Sequence, residues 1–112
     1  MVFDIEKVNI FVTVPKENVD EVRKAMCDAG AGIIGNYTYC TSAINSIGTF
    51  IPNENANPHI GEKQKLDFVE EIKLEVVCEA KNVKNVINEL RKAHPYEEPV
   101  ISIVPLLDEN DF

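Results

Sequence analysis

The sequence predicts an α+β domain of element order β-α-β-β-α-β, an antiparallel sheet with two helices on one face. Three observations predict it. Apolar residues alternate one by one over 8–14 and 71–79, the period of a strand with one buried face. They recur every three or four positions over 19–29 and 83–93, the period of an amphipathic helix. Turn formers separate these stretches, and each helical stretch follows an alternating one.

In the first strand Val8, Ile10, Val12 and Val14 share one face, while Lys7, Asn9 and Thr13 point the other way. Pro15 ends it and suits the first turn of a helix, where a missing N–H costs nothing. Val19, Val22, Met26 and Ala29 form the stripe of that helix, with Asp20, Glu21, Arg23 and Lys24 for the solvated side, and Gly30 stops it. Residues 36–43 include Tyr37, Tyr39, Cys40 and Thr41, a β-favouring composition that predicts a second strand running through a kink near Gly48 to Phe50.

Residues 52–66 read PNENANPHIGEKQKL, too rich in turn formers for a regular element. Loops of this length inside compact domains are usually functional or partner-bound. The third strand, 71–79, sets Ile72, Leu74, Val76 and Cys78 against Lys73, Glu75 and Val77. Asn82 suits the N-cap of a second helix carrying Val83, Val86, Ile87, Leu90 and Ala93, and His94-Pro95 stops that helix because proline steers its predecessor out of the α region. A last strand covers 100–104, and Pro105 marks an edge.

This order is the split βαβ, or ferredoxin-like, arrangement. Only one sheet face has helices to cover it. Val77, Tyr37, Tyr39 and Phe11 are expected on the other, a surface suited to another subunit.

The 112 residues suit one domain, 1–112, small enough that oligomerisation would help stabilise it. A net charge of -8 argues against sequence-independent binding to nucleic acid or to an anionic membrane surface. No apolar run approaches the roughly 20 residues of a transmembrane helix, and Asp4 and Glu6 stand where a signal peptide would be apolar, so a cytoplasmic protein is expected. Cys27, Cys40 and Cys78 form neither a CxxC nor an even set; Cys27 and Cys78 read as small buried hydrophobes.

Three stretches carry candidate chemistry. In AHPYEEP, 93–99, His94, Glu97 and Glu98 offer nitrogen and oxygen donors suited to zinc, manganese or copper(II), held still by a proline on either side, with Tyr96 as a wall. The same corner has a structural reading: His94 capping its own helix end, Tyr96 packing on the sheet and the carboxylates facing water or a neighbour. In 30–40, Gly30, Gly32 and Gly35 could form a backbone nest for an anion or a tight helix exit that lets the backbone pass near another segment. The long loop holds His59, which would join Cys40 or His94 in a nitrogen and sulfur set if it folds over the sheet, or clasp a neighbouring protomer instead.

Five blocks in order, GAGIIGNYTYC at 30–40, GTFIP at 48–52, NPHIG at 57–61, EEIKLE at 70–75 and AHPYEEP at 93–99, closely resemble the PII-like inserted domain of the YqfO-type NIF-three-like family, the GTP cyclohydrolase type-two homologues. The HPYEEP segment and the strand order also resemble CutA, the divalent-cation tolerance protein, which forms trimers as the PII signalling proteins do. The resemblance departs at 46–50, which reads SIGTF where the family tends to carry G-x-G-x-F, and at 55–58, which reads NANP for G-x-N-P.

The family's flanking lobes, with their paired-metal ligands, are not expected in this chain, so neither that metal site nor an enzymatic activity carries over. The resemblance implies a small oligomeric binding module, a trimer by preference, that senses or carries a metal ion or small ligand at its subunit clefts. Tyr37, Cys40, His59 and Tyr96 are the candidate ligand residues, and His94, Glu97, Glu98, His59 and Cys40 the candidate metal donors. The alternative is a structural or protein-interaction module without a ligand.

Overall fold

The computed structural model describes residues 4–112. Strand β1 (Lys7–Pro15) leads through a short 3-10 turn, Lys16–Asn18, into helix α1 (Val19–Asp28). Strands β2 (Thr41–Phe50) and β3 (Asp67–Glu79) follow, then a second 3-10 turn, helix α2 (Val83–Ala93) and strand β4 (Ile101–Leu106). All pairings are antiparallel, and the sheet order is β2-β3-β1-β4. The predicted order holds, with β4 and its Pro105 at an edge.

Alternation explains the core. Val8, Ile10, Val12 and Val14 from β1 and Leu74, Val76 and Cys78 from β3 turn to one side and are buried. Val22 and Met26 of α1 and Val86 and Leu90 of α2 close over them. Each of these larger side chains contributes about 1.5–3 kcal/mol relative to exposure. Cys27 and Cys78 are buried as expected, and burial pushes both thiols above their ordinary pKa.

The helix ends differ. Gly30, at φ +116, stops α1 as predicted, with its N–H on the Cys27 carbonyl. Asn82 stands at the N-cap of α2 but makes no side-chain capping bond; it packs against Gly30 instead, 3.2 Å from where a Cβ would stand.

Two expectations are corrected. Residues 36–40 are not strand: Ile34 and Tyr37 bridge in a tight turn, Tyr39 has φ 57, and β2 starts at Thr41. β-favouring side chains lose there to glycines, because Gly32, at φ +77, sends its N–H to Val77 and receives that of Cys40. This is the close pass between segments rather than a strand. Nor does β2 break at Gly48, which pairs with Val69 in an unbroken register from Thr41↔Val76 to Phe50↔Asp67.

That register gives β2 and β3 an arm reaching past the helices. Ile47 and Phe68, on the helix side of the arm, are exposed because no helix reaches them. The opposite sheet face carries Phe11, with Lys73 over its ring at 4.7 Å, and Val77, Ile44 and Val104.

Candidate functional site

The 94–100 corner and the 51–66 loop meet over the uncovered face of the sheet. Helix α2 ends at His94, whose extended ψ of 133 precedes Pro95. His94 is 7% exposed, and both ring nitrogens are used. Tyr96 donates its backbone N–H to Nδ1 at 3.1 Å, so Nε2 carries the proton and donates to the Thr13 carbonyl at 2.8 Å. The ring therefore reaches across to β1 and does not cap its own helix. Burial lowers its pKa, against smaller raising contributions from the Thr13 bond and the Glu71 charge.

That corner lays the Tyr96 ring beside His94, 4.8 Å between centroids, and aims its hydroxyl at Glu71 Oε2, 2.8 Å away. Glu71 is 5% exposed, on the sheet face opposite the helices. Room for its other oxygen comes from Gly48 on β2: a Cβ there would stand 2.5 Å from Oε1. Burial and this bond push the Tyr96 hydroxyl well above the usual phenol range.

The loop folds over this pair. Glu97 accepts the Asn57 N–H on its carboxylate, and the His59 ring lies 6.2 Å from that of Tyr96. Between loop, corner and sheet lies a cleft of about 630 Å³. Its floor holds Thr13, Gly48, Val69 and Glu71; its walls include Phe50, Ile51, Val100 and Tyr96; its rim carries His59, Glu97 and Glu98. Among the described residues no lysine or arginine lines it.

Of the sequence-predicted site residues, His59, Tyr96, Glu97 and Glu98 line this cleft, and His94 stands behind Tyr96. Tyr37 and Cys40 lie outside it, in the 30–40 turn, where the Cys40 thiol faces the Thr38 carbonyl. Beside them the Tyr39 hydroxyl bonds Asp28, which also holds Lys24. The five candidate metal donors do not converge: among the described residues no three His, Cys, Asp or Glu side chains are placed to hold a metal ion.

Sequence reasoning missed Glu71, Gly48 and Asn57. For Glu71 the signal was its place in the EEIKLE block, masked by a strand face on which charges alternate. Gly48 carried one, because a lone glycine inside a strand marks a close approach as readily as a kink.

Comparison with known proteins decides the ancestry. Over 102 residues, 91% of its length, the chain is 44% identical to the GTP cyclohydrolase 1 type 2 homolog of Halalkalibacterium halodurans. It superposes on the crystal structure of a Bacillus cereus protein related to NIF3 with a TM-score of 0.82 and 38% identity, covering 96% of this chain. The chain is a homologue of one segment of these proteins. It spans about a quarter of their length, 27% in each case.

CutA from Xylella fastidiosa shares the fold, at a TM-score of 0.70 and 18% identity over 95% of this chain and 89% of that one. No protein-family model matches the chain. Among the described residues no helix is long and apolar enough to cross a membrane.

Proposed function

We propose that this chain is an oligomeric, PII/CutA-like binding module that takes a small organic ligand in the cleft under the 51–66 loop. One observation carries the reading: a cleft of about 630 Å³ whose apolar walls surround a few polar groups, the hydrogen-bonded pair Glu71 and Tyr96 with His59 and Glu98 on the rim. Ligand sites usually fall between roughly 300 and 1,000 Å³ with that kind of lining.

The loop is held to the corner through Asn57 and Glu97, so a ligand entering between them changes loop order, a change a partner can read. A divalent ion as cargo has less support, because the candidate donors are spread apart. Binding rather than catalysis is proposed, since the cyclohydrolase name belongs to relatives more than three times as long.

The uncovered sheet face and the exposed Ile47 and Phe68 on the β2–β3 arm support self-association, for which a trimer is the proposed state. Free thiols at Cys27, Cys40 and Cys78 suit a reducing, cytoplasmic setting. A protein-interaction role is favoured by a different observation, the exposed Ile33, Ile34 and Tyr37 of the 30–40 turn.

Native mass spectrometry of protein purified without denaturation, with thermal-shift screening of a metabolite library, tests both halves. A trimer whose melting temperature rises with a compound, and less so in Tyr96→Phe, supports the module. A monomer that no compound stabilises overturns it and leaves the protein-interaction reading.

A further inference from the structure

Resting on the cleft as the ligand site, we infer that its ligand carries a positively charged nitrogen, an alkylammonium or guanidinium on an apolar body, seated against Glu71. The inference starts from a nearly buried carboxylate that faces no lysine or arginine in the cleft. Among the described residues the Glu71 side chain has one hydrogen-bond partner, the neutral Tyr96 hydroxyl on Oε2, and no ion pair. Burying a carboxylate without a cation or a full set of donors is unfavourable. Folds keep such a group where something else completes it.

The neighbouring cations are committed elsewhere. Lys73, two residues on along the same strand face, lies over the Phe11 ring, and Lys16 pairs with Glu70 on the opposite face. Neither lines the cleft, and no other lysine or arginine does.

The rest of the cleft selects the same charge. Glu97 and Glu98 stand on its rim, so the field inside is negative, as it is around a chain of net charge -8. A phosphate or carboxylate ligand would meet three glutamates and no arginine or lysine fork to receive it. Phe50, Ile51, Val69 and Val100 supply apolar walls, and the Tyr96 ring a π face, for the body that carries the cation. With Oε2 held by Tyr96, Oε1, beside the bare Gly48 backbone, is left to receive the ligand's N–H.

Three probes of one shape separate the possibilities: 2-phenylethylamine, 2-phenylethanol and 3-phenylpropanoate, titrated into the ¹⁵N-labelled chain in the millimolar range expected for fragments of this size. The amine is expected to shift the amides of Gly48, Glu71 and Tyr96, and to bind at least about tenfold more tightly than either other probe. Glu71→Gln, which keeps an acceptor for Tyr96, is expected to erase that preference. Equal or tighter binding of the alcohol or the carboxylate at the same amides overturns the cation and leaves the cleft as a ligand site. Amine shifts scattered over exposed carboxylates and abolished by salt also overturn it. No response to any probe overturns both readings. The wild-type comparison stands even if Glu71→Gln does not fold.

Discussion

Tyr96 and Glu71, 25 positions apart, are joined by a 2.8 Å hydrogen bond that ties the α2–β4 corner to β3 and joins a wall of the cleft to its floor. One partner is a neutral phenol and the other a nearly buried carboxylate, so removing the phenol harms more than it relieves.

Tyr96→Phe is therefore expected to lower stability by about 1–3 kcal/mol, most of it the penalty on an abandoned carboxylate. Replacing Glu71 by Leu in the same chain should recover much of the loss, since removing both polar partners can be nearly neutral. Urea unfolding of the two single variants and the double variant gives the coupling. Additive losses would mean that the bond carries no stability.

Gly48→Ala sets two effects against each other. Alanine is favoured over glycine inside a strand by about 0.5–1 kcal/mol. Here, however, the new Cβ would stand 2.5 Å from Glu71 Oε1 and 3.5 Å from Val69 Cγ1, so the carboxylate must swing away from Tyr96. The expected net result is a loss of about 1–2 kcal/mol. In a Glu71→Ala background the obstacle is gone and the sign should invert, to a small gain. Thermal melts of the four chains read both signs.

How much of this was legible in the sequence depended on the range of the cause. His94-Pro95 stopped α2 because a proline acts on its immediate neighbour, and the β1 and β3 faces followed from alternation. Composition puts Tyr37, Tyr39 and Cys40 in a strand because it carries no record of the Gly32 to Val77 bond, made 45 positions away. Cys40 counts as a candidate donor only if the loop carries His59 to it, and the fold keeps the two apart. Glu71 looked like an ordinary polar position because the residues that bury it, Tyr96 and the loop, arrive from elsewhere in the chain.

The turn at 30–40 offers a paired test of why its glycines are there. Gly32, at φ +77, would bring a Cβ to 3.1 Å from the Cys40 nitrogen and 3.2 Å from Cys27 Sγ. Gly35, at φ +57, has open space. Gly32→Ala is expected to cost about 1–3 kcal/mol through conformational strain and crowding of the backbone. Gly35→Asn should be close to neutral, because asparagine tolerates the left-handed region. Thermal unfolding decides, and equal losses would show that φ alone sets the cost.

His94 makes stability depend on pH with a definite sign. Burial lowers its pKa in the fold, while in the unfolded chain it titrates near its ordinary value of about 6.5. Between the lowered value and about 6.5 the unfolded chain binds more protons, so stability falls as pH falls, by at most about 1.4 kcal/mol per pH unit. Above that window the contribution is complete, and below the folded pKa it is lost. Geometry gives the same sign: a proton on Nδ1 would face the Tyr96 N–H that Nδ1 now accepts. Guanidinium unfolding of wild type and His94→Gln between about pH 5 and 7.5 isolates the effect, because the other titrating groups are common to both chains. The difference between the two curves should narrow as pH falls, and a constant difference would show that His94 is protonated equally in both states.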